Sequence, residues 1–365
     1  MVDYSDRIKE LEAEMAKMQY NKRTQHHFGL IKAKIAQLRE KQEKRSSGTG
    51  VSGGGYEVKR TGDATVLLLG YPSAGKSTLL NVLTNQESEV GAYAFTTLNV
   101  VPGMMKYKHA KIQVLDVPGI VAGAASGRGR GKEVLASMRS ADMALIVVDA
   151  TWPEELGSIL KEAFDAKFRL NKKAPDVRIR RTHKDGIRIG RTVATPDLNN
   201  ETVVDILKEF RINNADVTIR SVIDADDFID CVEANRKYLL ALIVLNKIDL
   251  LTEAQLRAVR AQVNADLCIS AKEKIGIEEV KEAIFQKLDL IRVYLKEPTK
   301  PADMDVPLII FRNATIRDLA RKLHKDFEKK FKFARVWGPS AKFPGQRLML
   351  QHTLQDTDVV EMHLW

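Results

Sequence analysis

Apolar residues recur at helical spacing at the start of the chain: Ile8, Leu11, Met15 and Met18, then Phe28, Ile31, Ile35 and Leu38. The rhythm breaks over residues 20–27, so residues 1–45 are expected to form a helical hairpin. Residues 46–55, SSGTGVSGGG, have the composition of a flexible linker. From Thr65 the texture changes to short apolar runs at 66–69, 112–115, 144–148, 242–245 and 267–269, separated by helical segments. Runs that are apolar on both faces predict buried parallel strands joined by crossover helices.

One long gap, about 167–227, interrupts this rhythm. Inside it, alternating runs at 177–183 and 187–193 flank Lys184-Asp185-Gly186, and Asp-Gly between two such runs predicts a β-hairpin. A helix over 201–210 and a strand over 217–222 follow. The gap reads as a small α+β domain inserted into the larger fold. After the linker EPTKPADMDVP, a compact mixed domain is expected, with a strand at 307–311, a helix at 315–325, and strands near 333–337, 347–350 and 358–364. The resulting division is 1–60 helical domain and linker, 61–166 with 228–295 nucleotide-binding domain, 167–227 insertion and 296–365 C-terminal domain.

The length of 365 residues agrees with several cores. Hydrophobic residues make up 44% and charged residues 29%, the balance of soluble globular chains. No apolar run nears the roughly 20 residues that span a bilayer, so no membrane partner is expected. The N-terminus has no apolar signal region. Cys231 and Cys268 lack metal-ligand spacing, and a reduced, cytoplasmic compartment fits. The formal charge of +10 points to an anionic partner such as RNA, against the blander reading of a basic soluble surface.

The chemistry sits where apolar runs end. Gly70-Tyr71-Pro72-Ser73-Ala74-Gly75-Lys76-Ser77 follows the run at 66–69 and precedes a helical segment that opens with Thr78. It matches the phosphate-loop pattern in its required strand–loop–helix setting. Backbone N–H groups would turn around phosphates at a helix N-terminus. Lys76 would reach the β- and γ-phosphates and Ser77 would ligate Mg²⁺. Asp116-Val-Pro-Gly119 ends the next run, with the carboxylate facing Mg²⁺ and the Gly119 N–H facing the γ-phosphate. Asn246-Lys247-Ile248-Asp249 ends a later one. A carboxylate at Asp249 accepts from both N1–H and the 2-amine of guanine, a pair adenine lacks, so it selects GTP over ATP. Ser270-Ala271-Lys272 would bring a backbone N–H to guanine O6. Thr96 or Thr97 could complete the Mg²⁺ shell when a γ-phosphate is present.

The order of these segments resembles the developmentally regulated GTP-binding proteins, in the Obg-related branch of GTPases. The segments that carry the resemblance include Tyr20-Asn-Lys-Arg-Thr-Gln-His-His27, the phosphate loop, Phe95-Thr-Thr-Leu98, residues 116–124, Gly127-Arg-Gly-Arg-Gly131, Phe168-Arg-Leu-Asn-Lys-Lys173 and residues 334–345. The resemblance implies an α/β fold: a P-loop GTPase domain with an N-terminal helical domain, an insertion similar to the second domain of ribosomal protein S5, and a C-terminal ubiquitin-like β-grasp (TGS) domain. It implies Thr97 rather than Thr96 as the Mg²⁺-sensing threonine, GTP and GDP as ligands, and a link to translation. Eukaryotic relatives have dedicated protein partners.

Many small GTPases orient the attacking water with a Gln after the Asp-x-x-Gly motif. Here Ile120 stands there, and an alkyl group cannot orient water, so slow intrinsic turnover is expected. Arg128 and Arg130 follow, either as an internal arginine finger or as contacts to other charges, RNA or a partner. Relatives with an asparagine in the phosphate loop hold K⁺ beside the phosphates; Ser73 takes that place here, which leaves K⁺ an open question. Residues 167–191 carry ten Lys or Arg against two Asp. In the expected hairpin, Arg178, Arg180 and Arg188 would share one face, opposite Val177, Ile179, Ile187 and Ile189, and would suit RNA phosphates. Trp337 is expected in the C-terminal core. The function expected is a Mg²⁺-dependent GTP hydrolase switching contacts with the ribosome or structured RNA. The rival is an RNA-binding module that holds GTP as a structural ligand.

Overall fold

The computed structural model describes residues 4–19, 21, 24–46, 61–84, 101–116 and 141–365. The chain begins with helices α1 (Tyr4–Lys17) and α2 (Gln25–Ser46). Then come β1 (Ala64–Leu69), α3 (Lys76–Leu83), β2 (Val101–Tyr107), β3 (Ala110–Asp116), β4 (Met143–Asp149) and α4 (Glu155–Asp165). Next are β5 (Phe168–Leu170), β6 (Val177–Arg181), β7 (Ile187–Arg191), α5 (Asn200–Glu209), β8 (Ala215–Ile219) and α6 (Ala225–Glu233). They are followed by β9 (Lys237–Asn246), α7 (Glu253–Val263), β10 (Leu267–Cys268) and α8 (Ile277–Lys287). The last elements are β11 (Leu290–Leu295), β12 (Leu308–Phe311), α9 (Ile316–Leu323), α10 (Lys325–Lys330), β13 (Phe331–Trp337), β14 (Gln346–Leu348) and β15 (Asp358–Leu364). Two compact units result, one built on the N-terminal helices with residues 163–238, the other on the two larger sheets. Among the described residues no helix is long and apolar enough to cross a membrane.

The larger unit holds a sheet of order β10-β9-β4-β1-β3-β2. Along this order the strands run parallel except β2, which is antiparallel to β3. β1 and β4 are buried along their whole length, as continuous apolar runs in a doubly covered sheet must be. Sequence patterning leaves β2 unread, for two reasons. Pro102 and Gly103 mask its strand character, and its turn uses Lys108 and His109 at φ 46° and 68° in place of glycine.

The second sheet of this unit has the order β12-β11-β15-β13-β14, with only β11 and β15 parallel. Ile316, Leu319 and Ala320 of α9 pack against one face of it, over Ile291, Val293, Ala334, Val336 and Val360. This sheet begins at Leu290, ahead of the expected boundary at 296, because β11 is one of its inner strands. Trp337 is not in this core. It alternates with Val336 and lies on the opposite, open face, half-buried. The expected single helix at 315–325 ends at Leu323, where His324 turns extended and caps α10.

In the other unit, α1 and α2 form the expected hairpin around Ile8, Leu11, Ile31 and Ile35. The expected β-hairpin at 177–193 is not formed. The sheet order is β6-β8-β7, so β8 lies between the two strands, antiparallel to β6 and parallel to β7. The Asp-Gly signal is right locally, since Asp185 and Gly186 both have positive φ, 77° and 72°. The loop closes on Asn214 instead of on a partner strand. Gly186 N–H donates to Asn214 Oδ1 at 2.9 Å, and Thr182 N–H to Asn214 O at 3.1 Å. The crossover through α5 then returns β8 to the central position. Alternation survives the change. Val177, Ile179, Ile187 and Ile189 pack on the core, while Arg178, Arg180 and Arg188 are exposed. Phe228 and Ile229 of α6 belong to this core, which carries the unit past residue 227.

Helix α2 packs on the same core. Ala33 is fully buried in it, and Gly29 lies against Thr202. His26 meets Thr202 Oγ1 at 2.9 Å and Asp205 at 3.3 Å, and Lys32 pairs with Asp226 at 2.5 Å.

Candidate nucleotide site

The C-terminal ends of β1, β3, β4, β9 and β10 converge, the edge where open α/β sheets hold ligands. The loop Gly70–Gly75 leaves β1 and runs into α3. Gly75 sits at φ 90°, and a Cβ there would lie 2.2 Å from Asn246 Nδ2. A Cβ on Gly70 would lie 2.4 Å from the Val147 carbonyl oxygen. Both glycines are therefore required by close approach, not only by the turn. Ser73 is exposed at φ 68°. Ala74 is buried, Tyr71 and Lys76 are half-buried, and Pro72, Ser77 and Thr78 are exposed.

Three hydrogen bonds join the sequence-predicted segments. Ser77 Oγ donates to Asp116 Oδ2 at 2.7 Å, tying the loop to the end of β3. Asn246 Nδ2 donates to Ala74 O at 2.9 Å, tying the loop to the end of β9. Ala271 N–H donates to Asn246 Oδ1 at 2.9 Å, tying β9 to the segment after β10. Ser270 is fully buried, while Lys272 and Asp249 are exposed, the latter on a single helical turn, Ile248–Leu250. Thr96, Thr97, Gly119, Ile120, Arg128 and Arg130 lie outside the described residues.

Lys76 folds back along the loop and donates to Gly70 O at 2.9 Å and Tyr71 O at 2.8 Å. Burial pushes its ammonium below the usual lysine range, opposed by Asp116 and Glu155. Asp116 is buried, and its Oδ1 has no hydrogen-bond partner among the described residues. A buried carboxylate oxygen left unpaired beside a serine hydroxyl fits a hard cation, since Mg²⁺ takes one or two protein oxygens and completes its shell with phosphate and water.

Sequence reasoning missed Asp149. It ends the apolar strand β4 as Asp116 ends β3 and Asn246 ends β9, and that shared placement could have found it. Its Oδ2 accepts from Lys247 Nζ at 2.6 Å, and its Oδ1 accepts from the Thr151 N–H and hydroxyl at 2.9 and 2.7 Å. Burial raises the Asp149 carboxyl, but the bonds from Lys247 and Thr151 outweigh it and hold the group below its usual range. Asp149, Trp152, Glu155, Lys247 and Ser73 line a pocket of about 410 Å³ beside the loop.

Three family models match consecutive stretches of the chain. Residues 65–179 match a model described as a 50S ribosome-binding GTPase, residues 184–290 the C-terminal region of that domain, and residues 291–363 the TGS domain. The chain is 48% identical to an uncharacterized GTP-binding protein of Methanocaldococcus jannaschii, covering 97% of this chain and 91% of that one. It is 42% identical to developmentally-regulated GTP-binding protein 1 of Xenopus laevis, covering 98% of both. With the developmentally-regulated GTP-binding protein 2 homolog of Dictyostelium discoideum the identity is 38%, again over 98% of both. With the phosphate loop, the Asp116 strand end and the Asn246 strand end assembled on one sheet edge, and a TGS domain following them in the chain, the protein belongs to the developmentally regulated GTP-binding proteins, a family of GTPases.

Proposed function

We propose that the chain hydrolyses GTP to GDP and phosphate with Mg²⁺ and acts as a switch whose output is contact with the ribosome or structured RNA. The observation that carries the hydrolytic half is Asp116, buried, with one oxygen unpaired among the described residues and the other on Ser77. Ser77 and Asp116 would hold Mg²⁺, which supplies charge neutralisation at the β- and γ-oxygens. Lys76 would leave the carbonyls of Gly70 and Tyr71 for the phosphates, and its burial raises the strength of that contact. The backbone of residues 70–78 would cradle the α- and β-phosphates. Asp249, exposed and adjacent to Lys247, would read the guanine edge. The Ala271 N–H, now on Asn246, lies in the segment expected to face guanine O6. Thr97 and Gly119 would report the γ-phosphate, ordering their segments while it is present.

The RNA half rests on charge. Arg178, Arg180 and Arg188 lie on one exposed sheet face, and no ion pair of Arg178 or Arg180 occurs among the described residues. In register, Arg180 and Arg188 flank a single acidic residue, Asp216. The match to a model described as a 50S ribosome-binding GTPase and the C-terminal TGS domain support the same direction.

The rival reading, GTP as a structural ligand of an RNA-binding module, is favoured by Ile120. Steady-state GTP hydrolysis, measured with and without ribosomes, separates the two. Turnover that needs Mg²⁺ and rises with ribosomes is expected. Tight GTP binding with no turnover in either condition would leave the rival standing.

A further inference from the structure

The face of the C-terminal sheet away from α9 is organised in rows, beyond the end at which Leu290 and Ile309 pack into the core of the other sheet. In register, Arg347 of β14, Arg335 of β13 and Glu361 of β15 form one row, and Lys296, just past the end of β11, pairs with Glu361. On one side of it lie Phe333 and His363, and on the other Trp337, Val359 and Tyr294. A charged row thus runs between two rows rich in aromatics. The long cations lean diagonally onto the rings. The Arg347 guanidinium carbon lies 3.7 Å from the Phe333 ring centre, and Lys296 Nζ lies 4.8 Å from the Trp337 ring. Phe333 and His363 stack at 4.3 Å and 16°.

The charges in the row do not cancel. Both oxygens of the buried Glu361 are taken, one by Lys296 and the other by His363 at 2.7 Å. Arg335 and Arg347 are exposed, and no ion pair of either occurs among the described residues. Elsewhere in this domain the arginines are spent: Arg292 on Asp356, Arg312 on Asp289, and Arg317 and Arg321 on Glu328. The Arg347 guanidinium is planar and presents its N–H donors in a fixed fork that suits phosphate, and its side away from Phe333 can meet a base. Neighbouring cation and aromatic side chains on an open sheet suit unpaired nucleic acid, whose bases stack while its phosphates meet the arginines.

We propose that this face, centred on Arg335 and Arg347, binds unpaired RNA and forms a second RNA contact distinct from the arginine-lined sheet of the insertion. The inference rests on the RNA-linked half of the proposed function. Phosphates sit on Arg335 and Arg347, and a base extends the Phe333–Arg347 stack at its open end. A duplex, with its bases paired, takes the phosphates but cannot offer that base.

The test is fluorescence anisotropy of the full chain with labelled oligouridine of roughly a dozen nucleotides and with an RNA duplex of similar length, across a salt series. The native chain is expected to prefer the single strand by roughly tenfold, the gain from one stacked base. Arg335→Glu with Arg347→Glu should lower single-strand affinity at least roughly tenfold and flatten the single-strand salt slope by about 1.4, about 0.7 for each phosphate that is no longer neutralised. Arg347→Lys keeps the charge but not the plane, so the slope should hold while the single-strand preference falls. Equal affinity of the native chain for both RNAs, or a double variant that binds like the native chain, overturns the proposal. If the double variant binds normally while Arg178→Glu, Arg180→Glu and Arg188→Glu together abolish binding, this face is no site but the RNA reading stands. If the native chain binds neither RNA nor ribosomes, both fail.

Discussion

Lys247 Nζ donates to Asp149 Oδ2 across 2.6 Å, joining the residue after β9 to the last residue of β4. Asp149 is also the register partner of Asn246, whose side chain holds the phosphate loop at Ala74. The Asp149 carboxylate therefore fixes Lys247, two residues before Asp249, the residue proposed to read the base. Asp149→Asn keeps the shape and removes the charge. It should weaken GDP and GTP alike by roughly tenfold, about 1.4 kcal/mol, with guanine-over-adenine selectivity retained. Competition binding checks this, and unchanged affinity would show that Lys247 needs no anchor.

Ser77 and Asp116 make the proposed Mg²⁺ site. Ser77→Ala should lose most of the Mg²⁺ dependence of GTP affinity. Lys76→Ala should lose hydrolysis, because the β- and γ-phosphates lose their nearest cation. Nucleotide titrations with and without Mg²⁺ decide the first point and single-turnover hydrolysis the second. A Ser77 variant whose GTP affinity still rises normally with Mg²⁺ would remove Ser77 from the site.

Asp249 is expected to choose the base. Asp249→Asn replaces two acceptor oxygens with one acceptor and one donor, which suits xanthine, whose 2-position bears an oxygen. GTP affinity should fall and that for XTP rise. Native protein that binds ATP as tightly as GTP would contradict the assignment.

That these segments meet at one sheet edge was legible because each ends an apolar run in a parallel sheet, where local pattern and global position agree. Asp149 was equally placed but carries no motif, so only the geometry found it. The 177–193 hairpin misled for a different reason. Asp185-Gly186 specifies a tight reversal, but which strand fills the space beside β6 depends on α5 and on Asn214, far along the chain. Charge counting misled at Arg169. It adds to the basic total of residues 167–191, yet it is buried on Asp230 rather than displayed. Packing of α2 on the insertion depends on pairs more than 150 residues apart in sequence, such as Gln37 with Glu209 and Lys32 with Asp226, which no periodicity can reveal.

Arg169 bonds Asp230 through Nε at 2.6 Å and Nη2 at 2.7 Å, and Arg236 Nε shares the same carboxylate at 2.7 Å. Asp230→Asn would leave the buried Arg169 without its anion and Arg236 with Glu233 alone. Breaking a buried pair in this way costs about 3–5 kcal/mol. Cys231 next door reports it. Burial, with Asp230 and Asp227 adding, pushes its thiol up to about 12, so near pH 8 it is held as the unreactive neutral form while folded. Alkylation of Cys231 should be slow in the native protein and much faster in the Asp230 variant. Equal rates would mean that the network does not hold this unit together.

The docking of α2 on the insertion can be tested with two glycines. At Gly29 in α2, a Cβ would lie 2.8 Å from Thr202 Cγ2 and 3.5 Å from Ala225 Cβ. At Gly157 in α4, no atom of the described residues lies within 4 Å of a Cβ. Replacing a helical glycine gains up to about 1 kcal/mol of helix propensity wherever there is room. Gly157→Ala should therefore stabilise the protein. Gly29→Leu must force α2 away from Thr202, and overpacking of this kind costs about 1–3 kcal/mol, more than propensity returns. Its effect should concentrate in the unit that contains Cys231, so alkylation of that thiol in increasing urea is the sensitive measurement. Ala33, fully buried one turn further on, gives an independent check, since Ala33→Leu should act in the same direction. If Gly29→Leu and Ala33→Leu both leave Cys231 as protected as in the native chain, α2 does not form part of the insertion core in solution.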